Sequence, residues 1–127
     1  MKISRKKILA GVLMAGIMGT SLIAYANTVP FNVTIPNDTI SPRAYKDDDE
    51  QRFYVTGVSF DDPVAILSCF SVGITDPNVS SYEAQIWQAY PSSSASYQTY
   101  AMAGDYFYML TYSTTGNNFN VWGRYTP

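Results

Sequence analysis

The chain has 127 residues, with ten acidic and eight basic side chains, one cysteine and no histidine. The missing histidine excludes Ser-His-Asp and Cys-His catalysis and imidazole-ligated zinc sites. A lone cysteine excludes any intramolecular disulfide.

Lys2, Arg5, Lys6 and Lys7 make a basic start, an apolar run from Ile8 to Ile23 follows, and Ala24-Tyr25-Ala26 supplies small residues at positions −3 and −1 of a signal-peptidase site. Residues 1–26 are therefore read as a signal peptide and 27–127 as one exported domain. The alternative is an uncleaved anchor, but the run carries Gly11, Gly16 and Gly19 and falls short of the roughly 20 apolar residues a spanning helix needs. No stable membrane anchor is expected, and the protein should be secreted and extracellular, with loose wall association as the variant.

Removing 26 of 127 residues leaves 101, enough for one core. That remainder keeps Arg43, Lys46, Arg52 and Arg124 against ten carboxylates, a net charge of −6. Nucleic acid and anionic membranes require clustered cations, so neither is an expected partner. Paired carboxylates could serve a glycosidase, but 101 residues leave little room for such a cleft, and no enzyme is expected.

Strand-like runs punctuated by turns fill the remainder. The first, 29–35, alternates with Phe31, Val33 and Ile35 on one side, and Pro36-Asn37-Asp38 ends it. Residues 37–50 read as a polar loop, and 52–58 as a second strand. The longest run, 64–75, places Val64, Ile66, Phe70, Val72 and Ile74 on one face. Within it Cys69 has apolar neighbours and should be a buried, reduced thiol. A fourth strand, 82–89, precedes a Ser-rich loop at 91–96. Strands at 97–103 and 105–113 flank Gly104, and 119–125 closes the chain after a Gly/Asn loop. This pattern predicts an all-β fold, an antiparallel two-sheet sandwich of about seven strands of the immunoglobulin-like kind, with a small β-barrel as the alternative.

Residues 27–127 hold ten Tyr, six Phe and two Trp. Regular alternation puts Glu83, Gln85 and Trp87 on one face of the fourth strand, and Asn120, Trp122 and Arg124 on one face of the last. Each tryptophan would then stand among polar groups, suiting contact with a protein partner or a sugar face. The competing reading is that a bulge flips each register and buries both rings. Tyr106, Tyr108 and Tyr112 oppose Phe107 in the sixth strand, which suits a central position covered on both sides. A tyrosine there would suit a corner hydrogen bond of the immunoglobulin kind.

Asp47, Asp48, Asp49 and Glu50 form the one metal-like run, a weak calcium candidate, since consecutive side chains diverge and Lys46 and Arg52 flank them. No other cofactor is expected. Three Asn-x-Ser/Thr triplets, at Asn32, Asn37 and Asn78, match the glycosylation pattern but are discounted because the leader looks bacterial.

The leader, the opening Phe31-Asn32-Val33-Thr34-Ile35 and the ending Val121-Trp122-Gly123-Arg124-Tyr125 resemble those of short secreted Gram-positive proteins of unknown function. Some secreted peptides with such leaders are bacteriocins of the lactococcin kind, from which residues 36–118 depart. The resemblance implies export and carries no functional residue. The expected role is a monomeric, non-catalytic extracellular interaction protein binding a protein partner. The alternatives are a cell-envelope glycan-binding module and a bacteriocin-like antibacterial or immunity factor.

Overall fold

A computed structural model describes residues 27–115 and 117–127. The predicted signal peptide lies outside the described residues. Eight strands form: β1 (Val29–Ile35), β2 (Ala44–Tyr45), β3 (Arg52–Phe60), β4 (Leu67–Gly73), β5 (Ala84–Ile86), β6 (Ser92–Ser96), β7 (Tyr106–Tyr112) and β8 (Phe119–Thr126). They make two four-stranded antiparallel sheets, β1-β8-β3-β6 and β2-β7-β4-β5, and there is no helix among the described residues. The layers are an open sandwich, not a barrel.

The pairing has a simple rule. β1 pairs with β8, β2 with β7, β3 with β6 and β4 with β5. The chain is thus one long hairpin with its tip between β4 and β5, rolled so that successive strand pairs alternate between sheets. This is the strand order of an eight-stranded jelly roll. It differs from the immunoglobulin arrangement, in which the first and last strands lie in different sheets.

All eight strands contribute to one core. Phe31, Val33 and Ile35 of β1, Phe53 and Val55 of β3, and Phe119, Val121 and Tyr125 of β8 point inward, as their period-two alternation requires. Full burial of each large side chain contributes about 1.5–3 kcal/mol. β3 and β8 approach closely at Gly57 and Gly123, beside a bulge at Gly57/Ser59. A Cβ on Gly123 would collide with the Thr56 carbonyl oxygen, so only glycine fits.

β4 turns the other way from its most hydrophobic face. Ala65, Leu67, Cys69 and Ser71 are buried, whereas Phe70 and Val72 are half-buried on the outside and Val64 and Ile74 are exposed. Small inward residues leave room for the rings of Phe53, Tyr97, Phe107 and Tyr125, which pack with centroids 5.4–6.5 Å apart. Ser71 also has chemistry to do there. Its Oγ lies 2.7 Å from the Tyr97 hydroxyl and 2.6 Å from that of Tyr125, so three buried hydroxyls satisfy one another. The tyrosine hydroxyls bonded in the core thus come from Tyr97 and Tyr125, not from β7.

Two segment expectations exchange places. Residues 92–96, read as a loop, form β6, paired with β3 from Arg52↔Ser96 to Thr56↔Ser92. Residues 97–103, read as a strand, are a crossing loop. The Gln51 side chain replaces a strand partner there, accepting from the Ala101 N–H at 2.7 Å and donating to its carbonyl at 2.8 Å. The loop ends at Gly104, whose φ of 97° places it in the left-handed region.

Candidate functional site

The two tryptophan triplets lie on different sheets. Asn120, Trp122 and Arg124 stand on the outer face of β8, and Gln85, with the neighbouring Glu83 and Trp87, stands on the outside of the opposite sheet at its β5 edge. Outer faces of a sandwich point apart, so the six residues do not share one surface.

Trp122 is 45% exposed and lies directly across from Asn32 of β1. Asn120 is committed to holding β1: its amide nitrogen lies 2.6 Å from Asn32 Oδ1 and 3.1 Å from the Val33 carbonyl and Thr34 Oγ1. The outer face of this sheet is mostly polar, with Thr34, Thr56, Ser92 and Ser94 beside Arg124, and Tyr54, Val58 and Trp122 are the large apolar side chains exposed on β3 and β8. Trp87 is half-buried and closes a turn. Its backbone exchanges hydrogen bonds with Tyr90 (3.2 and 2.9 Å), and the two rings pack 5.0 Å apart. Gln85 donates to Glu83 at 2.9 Å.

These placements set an expected result for stability. Trp122→Ala should change it by about 0.5–1 kcal/mol, near the range of ordinary surface positions. Trp87→Ala removes a half-buried ring and should cost about twice as much. Urea denaturation of the two variants measures both; a loss of several kcal/mol at Trp122 would contradict its exposure.

The acidic run does not converge. Asp47 accepts from Asn27 at 2.8 Å, Glu50 accepts from the Tyr54 hydroxyl, and Asp48 accepts from the Glu50 N–H at 3.1 Å. Asp49 accepts from the Tyr100 hydroxyl at 2.8 Å and the Ala103 N–H at 3.2 Å. These bonds hold the Asp49 carboxyl below its ordinary range and push Tyr100 up. No group of three metal-ligating side chains gathers among the described residues.

Beneath this run lies Lys46, which pattern reading would place in solvent. Its side chain is 0% exposed. The ammonium donates to the Glu50 carbonyl, lies 3.4 Å from both Asp48 Oδ1 and the Pro127 carbonyl oxygen, and sits 5.3 Å above the Tyr97 ring. It is an internal tether between the 46–50 loop and residue 127.

The surface that sequence reasoning missed is the outer face of β2-β7-β4-β5. β7 is central in its sheet, as expected, but its outer side is uncovered. Phe70 lies across from Leu110, Val72 from Tyr108, and Tyr45 from Tyr106. Phe70 and Tyr112 stack with planes 8° apart and centroids at 5.8 Å. Arg43 sits 4.6 Å over the Tyr106 ring at one edge. Leu110 is 37% and Tyr112 43% exposed, and β4, β5 and β7 carry no charged residue. The signal for this face is present in 106–112, where both sides of the strand are apolar or aromatic.

Cys69 is fully buried, and burial pushes its thiol well above the ordinary range. No protein-family model, no curated protein and no solved structure matches this chain.

Proposed function

We propose that the protein is an exported, non-catalytic binding module that engages an extracellular protein partner. The contact is the outer face centred on Phe70, Val72, Tyr108, Leu110 and Tyr112. The observation that carries this reading is the contrast between the two sheets: on one outer face Tyr54 and Trp122 stand apart among Arg52, Arg124 and rows of Ser and Thr, whereas on the other Phe70, Val72, Tyr108, Leu110 and Tyr112 adjoin with no charge among them. A contiguous apolar patch with a polar rim marks an interaction site, and aromatic rings give large contact area at little entropic cost. Leu110 and Val72 favour a protein over a glycan, because aliphatic groups offer nothing to sugar hydroxyls. The basic-apolar leader supports export, and so does the resemblance to secreted Gram-positive proteins. A second reading, a glycan-binding module, rests on Trp122 among the amides and hydroxyls of the polar sheet.

The test is site-specific photo-crosslinking in the producing culture, with a photoreactive phenylalanine analogue at position 110 or at position 124. The expected result is one protein adduct at 110 and none at 124. Equal adducts at both positions, or none at 110, would overturn the reading, and an adduct of twice the protein's own mass would replace the partner with a second copy. Binding on a glycan array abolished by Trp122→Ala would select the second reading.

A further inference from the structure

The side of the sandwich where β1 ends one sheet and residues 39–45 end the other holds an open groove of about 740 Å³. Pro30, Asn32, Asp38, Ile40, Pro42 and Trp122 line it. Both edges present unpaired backbone to it. Thr34 exchanges two 2.7 Å backbone hydrogen bonds with Asp38 on the side of β1 away from β8. Backbone groups two residues apart in a strand point the same way, so the N–H and C=O of Asn32 also point away from β8, as does the C=O of Pro30. On the other sheet, the Thr39 carbonyl accepts from Thr111 and the Ser41 N–H donates to Met109, both at 2.9 Å. Ile40 between them therefore turns its own N–H and C=O away from β7. Outside the β1–β8 ladder, neither Asn32 nor Ile40 makes a backbone–backbone hydrogen bond among the described residues.

From this geometry we infer that the groove takes a short extended peptide segment of a partner protein, which adds to the β1 edge by pairing with Asn32. Strand addition draws affinity from main-chain bonds and specificity from pockets for alternate side chains. Here the Thr34–Asp38 bonds close one end of the edge, leaving three backbone groups from Pro30 and Asn32. Side chains must supply the rest. An apolar residue fits between Trp122 and the Ile40–Pro42 wall. The exposed Asp38 carboxylate, which has no side-chain partner among the described residues, lies in the same groove. Residues 27–127 carry ten acids against four bases. The fitting segment is therefore apolar with one Lys or Arg, and an acidic one is repelled. Ile40 is also the cross-strand neighbour of Leu110, so this site borders the Leu110 face, but the inference rests on the β1 edge and Asp38 and not on that reading.

The test is selection of a randomised seven-residue peptide library on the purified protein, followed by affinity measurement on the enriched peptides. Enriched peptides should carry an apolar residue and a Lys or Arg. Methylating their backbone nitrogens on one edge should abolish binding, while methylation on the opposite edge is tolerated. Trp122→Ala should weaken them about tenfold and Asp38→Asn should remove the preference for a basic residue, while Val72→Thr, on β4 across β7 from this edge, leaves them unchanged. Failure to enrich, indifference to both substitutions, or equal tolerance of methylation on either edge overturns the inference. So does a neutral oligosaccharide that competes for Trp122. If Trp122→Ala fails to fold, the Asp38→Asn and methylation arms still decide.

Discussion

Raising the pH from 9 to 12 should unfold the protein cooperatively. Burial is the main reason that the Cys69 thiol and the Tyr97 and Tyr125 hydroxyls are pushed up from ordinary values of 9.0, 10.0 and 10.0. For the two tyrosines, the bond to Ser71 only partly offsets this. The sign follows from linkage. A group whose pKa is raised by folding contributes stability that is fully present below its unfolded value and lost as the pH climbs above it. The loss begins near pH 9 with the thiol and steepens near pH 10 with the two tyrosines. Each group removes about 1.4 kcal/mol per pH unit, so all three together remove about 4. Against a total of roughly 5–15 kcal/mol for a domain of this size, pH 12 exhausts most or all of it. Tyrosinate absorbance and circular dichroism followed together should show exposed tyrosines ionising first and the last two ionising with loss of the fold. Tyr125→Phe should flatten the alkaline limb by one group, while losing about 1 kcal/mol at neutral pH through its hydrogen bond to Ser71. Smooth ionisation of every tyrosine in an intact fold would show that the pair is not sealed.

Lys46→Met should cost about 2–3 kcal/mol. The substitution keeps the aliphatic stem beneath the loop and removes only the ammonium, so the loss reports polar partners and not volume. The Glu50 and Pro127 carbonyls would lose their donor, and an unsatisfied buried acceptor costs about 1–3 kcal/mol. Asp48 is exposed and regains water, so the ion pair itself adds little. Lys46→Glu should be far worse, setting a buried carboxylate against two carbonyls and Asp48. Denaturant melts of the two variants, with hydrogen exchange across 46–50 and near 126–127, measure the tether. Unchanged stability in Lys46→Met would mean that water replaces the ammonium without loss.

Much of the fold is legible in the amino-acid order alone, because half-buried strands write their own period. β1, the first half of β3, and β8 each alternate apolar with polar, and each buries the face that the alternation names. Where one strand is apolar on both faces, alternation carries no choice. In β4, Phe70 and Val72 are more hydrophobic than Ser71, yet Ser71 is the buried residue, because ring volume from the opposite sheet and two tyrosine hydroxyls select a small polar side chain. β6 shows the converse: Ser92–Ser96 has one inward apolar residue, Ala95, and becomes a strand because β3 supplies a pairing edge. Alternation assigns both tryptophans to outer faces, and both faces are indeed outer. That they belong to opposite sheets follows only from the rolled hairpin, since strand order depends on contacts between residues far apart in the chain. The burial of Lys46 and the uncovered side of β7 have the same origin. Local pattern states which side of a strand differs from the other; what lies against each side is decided by the packing of the second sheet.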